Sequence, residues 1–389
     1  MKHVDEFRDK ALGERLFARI AALVPRAQRR LGRLPVSRGG QPIKLMEVCG
    51  GHTHTIFKYG LVGLLPEDLE LVHGPGCPVC VLPIGRVDMA IELARMPGAV
   101  LCTFGDALRV PGSELSLLQV KAQGADVRTV YSPADALTFA QHHPEREVIF
   151  FGLGFETTAP STALVVREAR ALGVPNFSVF SNHITIMPTL RALLESPELS
   201  LDGFVGPGHV SMVIGEAPYA PVAEQYGKPL VIAGFEPLDV LQAIVMLLEQ
   251  LAQGEARIDN QYSRVVPPAG SLLAQAALRE VFEPRASFEW RGLGSIPSSG
   301  LQLRAAFAQF DAERRFQLHE AQVPDPKACE CGKILAGVLQ PWDCKVFGTA
   351  CTPQTPIGAC MVSSEGACAA YYNYGRLTTL RQKRSSTRA

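Results

Sequence analysis

Between residues 43 and 251, short runs of β-branched and apolar residues alternate with segments whose apolar positions recur every three to four residues. The runs Ile43–Val48, Leu69–Val72, Ala99–Thr103, Val127–Tyr131, Glu147–Gly152, Phe177–Phe180, Gly203–Val205 and Leu230–Ala233 predict strands. The periodic segments Arg86–Met96, Pro133–His142, Ser161–Leu172, Met187–Leu194 and Pro237–Leu251 predict helices. Strand and helix in strict alternation point to parallel sheets in an α/β fold. Eight strands suggest two parallel-sheet lobes, divided near Tyr131–Glu145. An amphipathic segment, Asp5–Leu31, precedes them, apolar at Phe7, Leu12, Leu16, Ile20 and Leu23, and the glycine-containing stretch Ser37–Pro42 closes that arm. The expected organisation is a helical arm over 1–42, a first lobe over 43–135 and a second over 136–254. A connecting region and a smaller cysteine-rich domain follow over 255–389.

The unusual polar motifs fall just beyond the expected strands. They are Cys49-Gly50-Gly51-His52-Thr53-His54, Gly74-Pro75-Gly76-Cys77-Pro78-Val79-Cys80, Phe104-Gly105-Asp106, Gly154-Phe155-Glu156-Thr157-Thr158-Ala159-Pro160, Ser181-Asn182-His183, Gly206–Val210 and Gly234-Phe235-Glu236-Pro237. Open parallel sheets bind ligands beyond the carboxyl ends of their strands, so two facing lobes would gather these loops around one cleft. Gly206-Pro207-Gly208 echoes Gly74-Pro75-Gly76, an internal repeat consistent with two lobes.

Charge narrows the partners. Lys and Arg number 38 and Asp and Glu 38, which excludes a broad electrostatic surface for nucleic acid. The one local excess is the tail Arg376–Ala389, with five cations and no acid, read as a solvated end. The most apolar run, Val148–Phe155, is too short to span a bilayer, and the first eight residues carry charges of both signs, unlike a secretory signal. No membrane association and a cytoplasmic, reducing location are therefore expected. There, cysteines serve as metal ligands or reactive thiols more often than as disulfides.

The ten cysteines fall into two groups. Cys49, Cys77, Cys80 and Cys102 lie in the first third; Cys329, Cys331, Cys344, Cys351, Cys360 and Cys368 crowd into the forty residues 329–368. Cys77-Pro78-Val79-Cys80 is a C-x-x-C pair ahead of a helix, a setting that favours the thiolate for redox exchange or metal binding. Cys49 stands beside His52 and His54 on a Gly-Gly turn and suits a nucleophile or a metal ligand. Cys102, inside an apolar run, reads as a buried small hydrophobe. The late six include no histidine, and their irregular spacing fits a [4Fe–4S] cluster better than paired zinc knuckles.

Together, Cys49–His54, Gly74–Cys80, Phe155–Pro160 and the cysteine-rich end Cys329–Cys368 resemble the HypD family of [NiFe]-hydrogenase maturation proteins, over about Lys44–Tyr374. The resemblance implies two α/β lobes and an iron–sulfur domain. It implies a scaffold on which Fe(CN)2CO is assembled with a HypC-type small chaperone, cyanide arriving from a HypE-type donor as a thiocyanate. It makes Cys49 the ligand of a mononuclear iron and Cys77 and Cys80 the redox pair at the same metal site, with His52 and Glu365 at functional positions. It gives the cluster four of the late cysteines: Cys329, Cys344, Cys351 and Cys368, with Cys331 and Cys360 in reserve. Two other readings stand beside it. One is a stand-alone thiol–disulfide oxidoreductase using Cys77 and Cys80 with an iron–sulfur electron donor. The other is a binding module whose late cysteines hold structural zinc.

Overall fold

All eight anticipated strands form, and a ninth short one joins them. In the computed structural model, residues 5–375 are described, apart from 198, 320 and 321; the basic tail Arg376–Ala389 lies outside the described residues. In chain order the strands are β1 (Ile43–Glu47), β2 (Leu69–His73), β3 (Ala99–Thr103), β4 (Val127–Thr129), β5 (Glu147–Gly154), β6 (Phe177–His183), β7 (Gly203–Pro207), β8 (Leu230–Ala233) and β9 (Ile258–Asn260). They pair in two parallel sheets, ordered β2-β1-β7-β8-β9 and β4-β3-β5-β6. Helices cover the sheets, so the central strands are buried on both faces and read as continuous apolar runs.

The contiguous division at 135/136 does not match the pairing. β3 and β4, expected in the first lobe, pair with β5 and β6, while β7 returns to lie beside β1. The second sheet is thus an insertion between β2 and β7. A parallel crossover does not reveal in its own sequence which sheet it will join. The Gly-Pro-Gly echo has the same explanation: both copies leave the first sheet, one after β2 and one at the end of β7. The return is pinned by Asp202, which accepts the Lys44 N–H at 2.9 Å and both Nη atoms of Arg33 at 2.6 and 2.8 Å.

The N-terminal arm is helix α1 (Lys10–Arg30). Asp9 caps it by accepting the Leu12 N–H at 2.7 Å, and Leu16, Ile20, Leu23, Val24 and Ala27 face the helix Pro237–Gln253. The region after 254 contributes β9 and two antiparallel ribbons, Phe282–Pro284 with Leu301–Leu303 and Ser287–Trp290 with Gly294–Pro297. Residues 324–375 have only short helical turns. They bury Ile334, Leu335, Met361 and Val362 in the main core and have no sheet of their own. No helix among the described residues is long and apolar enough to cross a membrane.

Helix α3 (Ile84–Ala94) begins four residues after Cys80 and carries the fully buried Arg86. Arg86 donates to Asn182 Oδ1 at 2.6 Å, the Ser181 carbonyl at 2.8 Å and Glu313 at 2.7 Å, and lies 4.4 Å from the Phe180 ring centroid. With Arg285 on its other side, Glu313 is held at about 2, because two guanidinium groups outweigh its burial. Its ion-pair stabilisation is complete above 4.5, the ordinary value, and is lost as pH falls through about 2. Glu313→Gln should cost about 2–4 kcal/mol near neutrality, with the deficit shrinking toward pH 2 in urea titrations. Glu156 shows the opposite sign. Its Oε1 accepts the Ile186 N–H at 3.0 Å, its Oε2 is buried without a partner, and burial pushes it up to about 7. The folded state favours its neutral form; that contribution is complete below 4.5 and is lost as pH rises through about 7. Glu156→Gln should therefore leave acid stability unchanged and raise stability at alkaline pH by about 1–3 kcal/mol.

Candidate functional site

β1 and β2 are adjacent, parallel and in register, with Glu47 opposite His73. The loops carrying Cys49 and Cys77 therefore leave the same edge of the same sheet. They interlock there. The Gly50 N–H bonds the Gly76 carbonyl at 3.3 Å, and the Gly74 N–H bonds the Glu47 carbonyl at 2.8 Å. A Cβ on Gly76 would stand 2.3 Å from the Cys49 nitrogen, so only glycine permits this approach.

The segment read as a Gly-Gly turn is the start of helix α2 (Gly50–Lys58), and Cys49 is its N-cap. Burial, with Glu365 and Glu47 nearby, pushes the Cys49 thiol well above its ordinary value, although the neighbouring N–H groups of Gly51 and His52 favour the thiolate. The two glycines bring α2 against its neighbours: a Cβ on Gly50 would meet Glu365 at 2.6 Å and one on Gly51 would meet the Phe235 ring at 2.8 Å.

A cavity of about 580 Å³ opens between the two sheets. Cys49, Cys77 and His209 line it from the first sheet, Asp106 and Thr157 from the second, and Glu365 from the cysteine-rich segment. The expected cleft is thus present and both lobes build it. Burial raises the Glu365 carboxyl, and Asp106 raises it further. His52 is elsewhere. It is fully buried, its Nε2–H donates to the Gly234 and Ala233 carbonyls at 3.0 and 3.2 Å, and burial lowers its pKa, so it is neutral. It reaches the cavity only through a stack: His52 on Phe235 at 4.8 Å, and Phe235 on His209 at 3.9 Å. Cys102 is buried in β3, as its apolar setting implied.

The late cysteines meet the early pair. The Cys80 thiol lies beside those of Cys77 and Cys360. Cys360 also neighbours Cys331, and Cys331 in turn neighbours Cys329 and Cys368. Interaction with Cys331 and Cys80 pulls Cys360 below its ordinary thiol value, while burial and the neighbouring thiols push Cys80 and Cys368 up. Cys351 accepts the Ile357 N–H at 3.4 Å and feels Cys331 and Cys329 electrostatically. Cys344 lies in the same loop, which the Cys351 N–H closes on the Val346 carbonyl at 2.9 Å, and it packs against the hydrophobic core that holds Cys331, Cys351, Cys360 and Cys368. Cys331 and Cys360, expected only as reserves, are therefore the centre of the group. No local signal marks this, because Cys80 and Cys360 are some 280 residues apart.

Among the described residues, no three histidine, cysteine or acidic side chains are already arranged around a metal position. The donor chemistry nonetheless fits an iron–sulfur group: the gathered groups are all thiols, without imidazole or carboxylate. Two of them border a place kept clear of side chain, since a Cβ on Gly358 would lie 2.4 and 2.6 Å from the sulfurs of Cys329 and Cys331.

Comparison with known proteins agrees with this constellation. Residues 26–375 match the family model described as HypD, "Hydrogenase formation hypA family". The chain is 57% identical over 382 residues to the hydrogenase expression/formation protein HupD of Azotobacter chroococcum mcd 1, with 97% of each chain covered. It is 57% identical over 383 residues to the hydrogenase maturation factor HypD of Azotobacter vinelandii, again with 97% of each covered. With the corresponding factor of Escherichia coli (strain K12) it shares 53% over 374 residues, covering 96% of this chain and 98% of that one. Family match, near-complete coverage and the thiol-lined cavity lead to one assignment: this chain belongs to the HypD family of hydrogenase maturation proteins.

Proposed function

We propose that the chain is the scaffold on which the Fe(CN)2CO group of a [NiFe]-hydrogenase is assembled, working with a HypC-type chaperone and receiving cyanide from a HypE-type donor. The observation that carries this is the juxtaposition of two thiol chemistries. Cys49 and Cys77 line one cavity, and Cys80 beside them lies next to a late cysteine, Cys360.

In this reading the Cys49 thiolate holds the incoming iron as cargo. A soft thiolate with open positions around it suits an iron that must still accept diatomic ligands. The donor presents cyanide as a thiocyanate, R–S–C≡N, and breaking its S–C bond to release cyanide takes two electrons. Cys77 and Cys80 supply them. Their two thiols become one disulfide, the donor leaves as R–SH, cyanide passes to the iron, and one proton is released. Cys360 then attacks the sulfur of Cys80, and Cys331 displaces Cys80 from that mixed disulfide. The early pair is again a dithiol, and the oxidation resides in a Cys331–Cys360 disulfide. Cys329, Cys344, Cys351 and Cys368 would hold the [4Fe–4S] group, which when bound supplies the electrons to reduce such a disulfide. Glu365 and Asp106, at the cavity wall, present carboxylates near the site of iron entry.

Cys80→Ala, purified anaerobically with both partners, should keep the absorbance near about 400 nm of its cluster yet show no infrared bands of iron-bound cyanide. Full cyanide transfer by that variant would remove the proposal. Cys360→Ser should complete about one turnover and then stop, because it blocks only the return of the early pair. Reduction of a generic disulfide by the wild-type chain without any partner would instead favour a stand-alone oxidoreductase.

A further inference from the structure

The carboxylate of Glu47 is wholly buried at the end of β1, two residues before Cys49. Nothing about a parallel sheet calls for a carboxylate there, and burying one is costly unless it is fully hydrogen-bonded. Glu47 is so bonded. Oε2 accepts the Cys49 N–H at 3.0 Å. Oε1 accepts the Nδ1–H of His73 at 2.7 Å and the hydroxyl of Thr53. His73 is itself buried at the end of β2, opposite Glu47 in register, and its ring packs 4.8 Å from Phe57 of α2.

These bonds join three elements. The N–H belongs to the residue that caps α2. The Thr53 hydroxyl belongs to the first turn of that helix. His73 is the last strand residue before Gly74-Pro75-Gly76-Cys77. An ordinary cap at position 49 would satisfy α2 alone and add nothing to the hold on the Cys77 loop. The Glu47 carboxylate instead ties the base of one thiol loop to the base of the other.

We propose that Glu47 and His73 are positioning residues, a buried clamp that fixes the Cys49 thiol relative to the Cys77 loop so that Cys49 can retain its iron. The clamp touches neither iron nor substrate and acts through the backbone of Cys49. The iron-holding part rests on the reading of Cys49 given above; the geometric part does not.

The test uses the full-length chain, purified anaerobically as wild type, Glu47→Ala, Glu47→Gln and His73→Phe. Two quantities are measured: deuterium exchange at the Cys49 amide, and iron in excess of acid-labile sulfide, which reports iron outside the cluster. Melting temperature and sulfide content identify variants that keep their fold. In Glu47→Ala the Cys49 amide should exchange at least about tenfold faster, and the excess iron should be mostly lost with sulfide unchanged. Glu47→Gln, which keeps an oxygen for the Cys49 N–H, should restore most of both, a rescue that general destabilisation would not give. His73→Phe should loosen the Cys49 amide although position 47 is untouched. If Glu47→Ala does not fold, Thr53→Val removes one donor alone and should accelerate the same amide. Unchanged Cys49 exchange in the folded variants overturns the clamp, and so does faster exchange with full iron retention. A wild type without excess iron would count against Cys49 as the iron ligand, while the exchange data would still decide the geometry.

Discussion

The site depends on one constraint: β1 and β2 are parallel neighbours whose last residues face each other. Two loops that leave adjacent parallel strands must emerge side by side, and here they carry Cys49 and Cys77. The spacing is closer than side chains would allow. Gly76 places its backbone against that of Cys49, and the residue before Cys77 therefore has no room for even a methyl group. Other loops complete the cavity, but they add to a pair already positioned.

The cysteine-rich segment depends on that pair for its place. With short turns only, it has too little apolar surface to fold alone. It is anchored instead by specific contacts: the Val362 carbonyl accepts from Arg109 at 2.5 Å, the Ser364 carbonyl meets His54 Nδ1 at 3.3 Å, and Cys360 lies beside Cys80. The packing around Gly366 is tight enough that a Cβ there would approach the Cys80 sulfur to 3.0 Å. The segment that gathers the late thiols thus also closes one wall of the cavity, through Glu365. Folding of the segment and completion of the site are one event.

Much of this was legible in the sequence. Strand runs such as Phe177–Phe180 and Leu230–Ala233 are buried on both faces, so their composition alone marks them, and the motifs at their ends do converge as open parallel sheets require. What could not be read is what depends on distant pairing. The swap of β3 and β4 into the second sheet leaves no local trace, because each βα unit looks the same whichever sheet receives it. α2 was hidden because it opens on Gly-Gly and continues through His and Thr, residues of modest helix propensity; it is held by tertiary contacts such as the Thr55 hydroxyl on the Phe235 carbonyl at 2.6 Å. Glu47 and His73 were overlooked because a lone polar residue ending an apolar strand resembles an ordinary strand boundary. Only their register makes them a pair.

The insertion has a further physical consequence. The first sheet cannot close until β7 returns to β1 from about 130 residues beyond β2, and that loop must be closed before β8 and β9 have an edge on which to pair. Asp202 sits at the return point and satisfies both the Lys44 N–H of β1 and Arg33, just beyond α1. One carboxylate thus joins the arm, the first strand and the returning strand. The cavity lies between the sheet that closes last and the sheet inserted into it, and its walls come from both chain ends, Cys49 and Cys77 from one and Glu365 from the other. The groups proposed to handle iron and exchange thiols are therefore brought together only in the completed fold, and a partly folded chain would lack the assembled cavity.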